Sequence, residues 1–394
     1  MNQIYTGRII SIDILRGIVM VIMALDHTRD FFHITAMTAD PLDPATTTPA
    51  LFFTRWITHF CAPVFLLLSG ISAYLSARNK TPSAAGNFLV RRGFWLILME
   101  VVVITLGLTF NPFYNLIILQ VIWAIGWSMV LLGLISRWSF RAVVVIGLII
   151  FFGHNLLDGV ELPTTGPGAV VWQALLTSRG MVLPLTQQHF VGIFYTILPW
   201  SAIMFLGYGM GAWFLKEYPA AERKRNLLLS GAALIMLFLG LRFLNQYGDP
   251  QPFKTYGTGL QNLLSFLNTS KYPPSLQFAG MTLGPALLVL AALEPARGRW
   301  VNLFTVYGRV PFFYFVAHFY LLHFLLVIVF FASGYGPGQI NDPDSIFLFR
   351  PVKFGFALPV IYFIWLSVVA FLYRPCVWFQ NYRLQHQHWW LRYL

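Results

Sequence analysis

Charged side chains are scarce in this sequence. Only 10% of its 394 residues are Asp, Glu, Lys or Arg, whereas a soluble domain carries about 25%. So few charges cannot cover the surface of a soluble protein of this length. The hydrophobic fraction is 57%, and the apolar residues form stretches long enough to cross the hydrocarbon layer as helices. The composition therefore predicts an integral membrane protein in which residues 1–394 form one transmembrane domain.

Cysteine is rarer still. Cys61 and Cys376 are the only two cysteines, and they lie far apart in or beside apolar stretches, so a disulfide framework has no support. The histidines and acidic residues near the end of the first apolar stretch could bind zinc, but their spacing matches no metal-binding signature. The sequence therefore predicts no metal site.

Acidic residues are also few, because 14 Asp and Glu stand against 26 Lys and Arg, a net charge of +12. Such an excess would suit a nucleic-acid-binding protein if it formed one basic stripe. Here the basic residues fall in several short loops between apolar stretches, which is typical of the cytoplasmic loops of membrane proteins. We therefore expect no nucleic-acid partner.

The apolar stretches predict an all-α, polytopic bundle of about ten transmembrane helices. The predicted spans are residues 9–26, 51–77, 93–110, 115–135, 141–155, 192–215, 227–245, 275–293, 303–332 and 354–373. The ninth is too long for one untilted crossing, and Pro311 is expected to divide it into a shorter piece and the true span. Lys and Arg cluster in alternate loops, as at 78–92 and 216–225, and this bias places both termini in the cytoplasm.

The first candidate site lies at the outer end of the first predicted helix. It contains Asp26, His27, Arg29, Asp30 and His33. If the helix continues this far, Asp26, Asp30 and His33 share one face. A carboxylate beside an imidazole orients the ring and raises its basicity, as general-base catalysis requires. The alternative is a solvated helix end whose charges pair locally.

A second group begins the second predicted helix. Arg55 and His59 are four residues apart, so they share a helical face near the same membrane boundary. A hairpin between the first two helices would bring them to the first group, where Arg29, Arg55 or a backbone amide could stabilise an oxyanion. The alternative for His59 is a hydrogen-bonded histidine inside the bundle.

Six further residues are candidates for contacting a ligand at the inner face or within the bundle. They are Arg91, Arg92, Glu100, Arg309, Tyr314 and His318. The arginines could anchor an anionic ligand, or they could be ordinary orientation signals. Glu100 and His318 lie at membrane depth, where ionisable side chains are costly and usually face a cavity or a partner. The alternative for His318, which shares a face with Tyr314, is bundle packing.

Several segments resemble a known family. Residues 11–17 (SIDILRG) with 23–27 (MALDH), and Pro63 followed by 68–70 (LSG), are similar to the membrane acetyltransferase domain of heparan-α-glucosaminide N-acetyltransferase and its bacterial relatives. Two later patches resemble signatures of the bacterial branch. They are residues 266–276 (FLNTSKYPPSL) and 308–314 (GRVPFFY).

The resemblance implies acyl transfer across a membrane, from cytosolic acetyl-CoA to an amino sugar on the far side, with a histidine between the first two helices taking part. Pro49 occupies the position of that histidine here, so His27 and His33 are the nearest candidates for its role. His59 lies where the lysosomal enzyme carries an acid. A polyanionic thioester donor would dock on Arg91, Arg92 and Arg309.

We therefore expect a membrane-embedded acyltransferase of the bacterial inner membrane, which moves an acetyl or other acyl group from acyl-CoA to an extracytoplasmic sugar or glycan. A histidine would act as general base or acyl carrier. The expected partners are the lipid bilayer and the glycan acceptor, and a second copy of the chain could form a homodimer. The alternatives are a proton-coupled transporter or lipid-linked carrier exporter, which Glu100 and His318 would suit, and a non-catalytic scaffold or receptor.

Overall fold

The computed structural model describes residues 9–160, 166–177 and 181–393, and these residues are mainly helical. The helices are α1 Ile10–Phe32, α2 Pro49–Trp56, α3 Cys61–Ala77, α4 Pro82–Met99, α5 Thr105–Thr109, α6 Val121–Ile135, α7 Phe140–Gly153, α8 Gly166–Trp172, α9 Ile197–Met210, α10 Ala220–Leu244, α11 Gly259–Leu267, α12 Leu276–Leu293, α13 Arg299–Arg309, α14 Pro311–Ala332 and α15 Leu358–Gln385. One 3₁₀ turn, Ile57–Phe60, joins α2 to α3, and a π-helical segment, Glu100–Ile104, joins α4 to α5. The predicted all-α bundle is confirmed.

Seven of the described helices are long and apolar enough to cross a membrane. They are Pro49–Ala77, Phe140–Leu157, Ile197–Phe214, Ala220–Leu244, Leu276–Leu293, Pro311–Ala332 and Leu358–Gln385. Helix α1 is long enough but carries several charged side chains, α4 is interrupted by Glu100 in its π-helical continuation, and α6 is short. The count of about ten spans and the cytoplasmic position of the termini stay predictions.

Three predicted boundaries differ from the structure. Helix α1 continues six residues past the predicted end of the first span, to Phe32, because the charges that follow Leu25 pair within the bundle. The predicted spans 115–135 and 192–215 each begin with a strand instead of a helix. Strands β1 Leu116–Leu119 and β3 Phe190–Ile193 pair in parallel, and β2 Met181–Pro184 pairs antiparallel with β3.

The predicted division at Pro311 is confirmed. Helix α13 ends at Arg309, and α14 begins at Pro311, because proline suits the first turn of a helix and disrupts its interior. The break separates α13 from α14, and both helices pack against the same helix, α1.

Helix α1 is central to the bundle and packs against α3, α12, α13, α14 and α15. Its contact with α13 is very close. A Cβ added to Gly17 would lie 1.9 Å from the carbonyl oxygen of Phe304, and one added to Gly308 would lie 1.9 Å from that of Asp13. Small residues let two backbones touch in this way. The polar side chains of α1 are therefore enclosed by protein.

Candidate functional site

An arginine-rich cavity of about 260 Å³ lies beside the N-terminal half of α1 and is called the arginine cavity here. Its cationic lining residues are Arg16, Arg92, Arg309 and Arg383. Arg16 donates hydrogen bonds to Asp13 (3.2 Å), to the hydroxyl of Ser72 (2.9 Å) and to the carbonyl of Gly308. Asp13 and Arg16 lie three residues apart on α1 and form an ion pair, and Arg16 also lines the cavity.

The two adjacent arginines of α4 have different surroundings. Arg92 lines the arginine cavity, and its buried Nε has no hydrogen-bond partner among the residues that the structure describes. Arg91 points away and is exposed. A buried guanidinium nitrogen without a partner is costly, so Arg92 is suited to an anionic ligand and Arg91 is not placed to share it.

A second cavity, of about 120 Å³, lies beside the C-terminal half of α1 and is called the central cavity. Four charged residues in its wall form one network. The Arg55 guanidinium donates to Asp26 at 2.6 Å, and Arg29 donates to Asp26 at 3.4 Å and to Asp30 at 2.5 Å. Each carboxylate is thus held by at least one arginine. The predicted hairpin between the first two helices does bring Arg55 to the first candidate group.

His27 lines the central cavity beside this network. Its Nδ1 lies 4.0 Å from Oδ2 of Asp30, beyond hydrogen-bond distance but close enough for a charge contact. The ring packs on Phe319, with centroids 4.4 Å apart, and near His318, at 5.2 Å. The imidazole is therefore enclosed on one side by α14 and open to the cavity on the other.

His318 and Tyr314 stack on each other behind His27, with ring centroids 5.7 Å apart, as their shared helical face predicts. Nδ1 of His318 donates to the carbonyl of Tyr314 at 3.1 Å, so Nε2 is the unprotonated nitrogen of the neutral ring. Within the described part of the chain, Nε2 has no partner. Neither residue lines the arginine or the central cavity, so the structure places them behind the site instead of at a ligand.

A third cavity, of about 530 Å³, is formed largely by connecting segments and is called the loop cavity. His59 lies in its wall but is fully buried, packed on the ring of Phe278 at 5.3 Å. Neither ring nitrogen of His59 has a hydrogen-bond partner in the ranges that the structure covers. His59 is thus separated from His27, which faces the central cavity.

The three cavities form a series with common walls. Phe65 and Val121 line both the arginine cavity and the central cavity. Five residues line both the central cavity and the loop cavity: Arg29, Arg55, Phe194, Lys271 and Tyr272. Arg16 and His27 are eleven positions apart on α1, which is about 16 Å along a helix axis. The three cavities are therefore adjacent, in an order that runs from an arginine-rich end to a histidine and then to loops.

His33 is placed apart from the other candidates. The expectation that it shares a helical face with Asp26 and Asp30 does not hold, because α1 ends at Phe32 and His33 is an extended capping residue. Its carbonyl accepts a hydrogen bond from Arg350 at 2.7 Å, and its ring contacts the Thr35 hydroxyl at 3.0 Å. Burial, helped by nearby Arg29 and Arg350, lowers the pKa of His33. None of the three cavities is lined by it.

Glu100 also lies outside the cavity walls. Its carboxylate accepts hydrogen bonds from the backbone N–H groups of Gln120 and Trp123, both at 3.1 Å. These groups begin α6 and have no partner within that helix. Glu100 is therefore an N-terminal cap supplied by a neighbouring helix.

We expect Glu100→Ala to destabilise the fold by about 2–4 kcal/mol, because two buried N–H groups would lose their acceptor. Glu100→Gln keeps one acceptor oxygen and should lose about half as much. Thermal unfolding in detergent measures both. If Glu100→Ala unfolds at the wild-type temperature, the capping role is wrong.

Three lining residues, Arg16, Lys271 and Arg383, are not among the ligand contacts that the sequence predicts. Arg16 stands three residues after Asp13, so a local ion pair accounts for it, and Arg383 lies in the basic segment that follows the last predicted span. Lys271 lies in the 266–276 segment, where nothing in the sequence relates it to α1. The signal that could have drawn attention to Arg16 is its depth within an apolar stretch, because a cation there usually faces a cavity.

No group of three His, Cys, Asp or Glu side chains in the described ranges is arranged to hold a metal ion. The histidines that might have formed one are separated, with His27 in the central cavity and His59 against Phe278. The polar groups of the cavities are suited to an organic ligand with anionic groups at the arginine-rich end.

Comparison with known proteins shows the family of this chain. A search of curated protein sequences finds no significant match. The family model for heparan-alpha-glucosaminide N-acetyltransferase, catalytic, matches residues 8–252. That range is more than half of the chain and contains most of the cavity walls, including α1, α3, α4 and α6. The chain is therefore a member of the heparan-alpha-glucosaminide N-acetyltransferase catalytic family and a membrane acetyltransferase of that general kind.

Proposed function

We propose that this protein transfers an acetyl group from acyl-CoA in the cytosol to a sugar or glycan on the other side of a bacterial cytoplasmic membrane. The observation that carries the proposal is the series of three cavities, which runs from four arginines past His27 to the loops. Family membership supports the reaction class. The geometry supports a donor at one end and an acceptor at the other.

The arginine cavity is the proposed site of the nucleotide end of the donor. Coenzyme A carries several negative charges there, and guanidinium groups bind phosphates with two or more directed hydrogen bonds. Arg92 has a buried nitrogen without a partner, and Arg309 and Arg383 lie in the same wall. The thin pantetheine arm would then extend between Phe65 and Val121 and bring the thioester to the central cavity.

His27 is the proposed general base. The imidazole removes a proton from the acceptor hydroxyl or amine, and the acceptor oxygen or nitrogen forms a bond to the thioester carbonyl carbon. The tetrahedral intermediate then re-forms its carbonyl and breaks the carbon–sulfur bond, and the departing sulfur takes the proton from His27. Asp30, 4.0 Å from Nδ1, is placed to stabilise the imidazolium that exists between these steps.

The loop cavity is the proposed acceptor site. It is the largest of the three, and its wall combines the amide side chains of Gln251 and Asn268 with the rings of Phe194 and Tyr272. Amides can bond to sugar hydroxyls, and aromatic rings cover the apolar face of a sugar. This wall supports a saccharide as the acceptor but does not identify a particular sugar.

A sided transfer assay tests the proposal. The protein is reconstituted in liposomes with radiolabelled acetyl-CoA outside and glucosamine trapped inside as the first acceptor probe. We expect labelled acetyl-glucosamine to form inside, and we expect slow hydrolysis of acetyl-CoA by protein in detergent without acceptor. Failure to bind or consume acetyl-CoA would contradict the proposal. Sugar movement driven by a pH gradient without any acyl donor would indicate a transporter instead.

The two adjacent arginines give a matched test of the donor site. Arg92→Met should raise the KM for acetyl-CoA about 10- to 100-fold, because one charged hydrogen bond to the donor is lost, with kcat changed little. Arg91→Met removes the same charge from an exposed position and should leave KM near the wild-type value. Hydrolysis rates over a range of acetyl-CoA concentrations measure both. Equal effects of the two substitutions would contradict the assignment.

A further inference from the structure

Lys271 is a buried cation that makes no direct ion pair with the described residues. Its side chain is 8% exposed and lines both the central cavity and the loop cavity. No carboxylate lies within ion-pair distance, and no hydrogen bond to Nζ is present, among the residues that the structure describes. Removing an ammonium group from water costs several kcal/mol unless a partner compensates. Lys271 and Asp26 interact electrostatically only beyond ion-pair distance, so no anionic group among the described residues meets the ammonium directly.

The other two cations of the central cavity are already engaged. Arg55 and Arg29 share Asp26, and Arg29 also holds Asp30 at 2.5 Å. Three cations therefore face two carboxylates, and the excess positive charge belongs to Lys271. Arg29 and Arg55 are the oxyanion-stabilising groups expected from the sequence, but their hydrogen bonds to the aspartates leave them less able to meet a new negative charge.

The ammonium group is held in place by aromatic rings and by its loop. Nζ lies 5.2 Å from the ring centroid of Tyr272 and 5.8 Å from that of Tyr195, distances typical of cation–π contacts. The loop backbone is fixed where Ser270 N–H donates to Asp249 at 2.9 Å and Ser275 N–H donates to the Ser270 carbonyl at 3.0 Å. Because the ammonium group is fixed before the reaction, it does not have to rearrange when a negative charge develops nearby.

We propose that Lys271 is a catalytic residue, whose ammonium group stabilises the oxyanion of the tetrahedral intermediate formed when the acceptor attacks the thioester carbonyl. This inference rests on the proposed function. The electron pair of the carbonyl double bond moves to oxygen as the acceptor bond forms, and Lys271 is the unpaired cation beside that position. When the carbonyl re-forms and the carbon–sulfur bond breaks, the negative charge passes from the oxygen to the CoA sulfur, which takes the proton from His27, and Lys271 no longer faces an anion.

The test uses full-length protein in detergent and acetyl-CoA as the probe. Lys271→Met should lower kcat about 10²- to 10³-fold, as the loss of one oxyanion contact does. Hydrolysis of acetyl-CoA should fall as much as transfer to glucosamine, and the KM for acetyl-CoA should stay near the wild-type value. Lys271→Arg keeps the charge and should recover part of kcat. Lys254→Met changes an exposed lysine of the preceding connection, between α10 and α11, and is the matched control that should keep wild-type rates.

Two results would overturn the inference. A rise in acceptor KM with unchanged hydrolysis would mean that Lys271 binds the acceptor instead of the oxyanion. A kcat loss that Lys271→Arg does not relieve at all, together with a lowered unfolding temperature in both variants, would mean that the residue is structural. Failure of the proposed function is distinguishable from either, because then the wild-type protein would not consume acetyl-CoA.

Discussion

His27→Gln is expected to lower the kcat of acetyl transfer about 10³-fold, within the range that a general base contributes. Glutamine has a similar size but cannot accept and return a proton at this position. The contacts with Phe319 and the neighbouring aspartates are largely preserved, so the unfolding temperature should change little. Sided transfer and acetyl-CoA hydrolysis, each measured with thermal unfolding on the same preparation, check the result.

His33→Gln is the matched control, since it makes the same change six residues later. The His33 ring contacts Thr35 and lines none of the three cavities, and its carbonyl bond to Arg350 does not depend on the side chain. Its activity should stay within a few-fold of wild type. Full activity in His27→Gln would refute the assignment of His27 as general base. Loss of activity in a stably folded His33→Gln would assign that role to His33.

The second large effect concerns the contact between α1 and α13. Gly308→Ala should destabilise the fold by about 2–3 kcal/mol, because its Cβ would lie 1.9 Å from the Asp13 carbonyl oxygen and the two backbones would have to separate. Gly17→Ala makes the reciprocal clash with Phe304 and should act alike. Thermal unfolding in detergent and the yield of monodisperse protein measure the loss.

Gly240 provides the control for this experiment. It lies within α10, and a Cβ added there would meet nothing within 4 Å. Gly240→Ala makes the same chemical change and should be neutral or stabilising by up to about 1 kcal/mol, because alanine favours helix more than glycine. If all three substitutions behave alike, close backbone approach is not what the glycines at positions 17 and 308 provide.

The membrane helices could be predicted because hydrocarbon imposes a length and a composition that are read directly from the chain. The division at Pro311 was predictable for a similar reason, since proline limits a helix locally. The strands at 116–119 and 190–193 could not be predicted. An apolar run of four residues is equally consistent with a helix and with a strand until its pairing partner is known.

The site was predictable only where its residues share one helix or one hairpin. Asp26, His27 and Arg29 lie within one turn, and Arg55 follows in the next helix, so their meeting could be expected. The approach of Lys271 to this group depends on packing between distant segments, which no local pattern records. The predicted position of His33 was wrong for a different reason. His33 lies one residue beyond the end of α1, in extended backbone, so its side chain does not follow the helical face.

The common wall formed by Phe65 and Val121 has a consequence for the lipid bilayer as an electrical insulator. A hydrated ion entering between these side chains would have to give up water where neither phenyl nor isopropyl groups can replace it, and narrow apolar constrictions resist wetting for this reason. A flexible carbon chain meets no such barrier. In the proposed reaction, this wall would let the acyl-bearing arm of the donor pass to the middle of the membrane while it slows the passage of protons and salt.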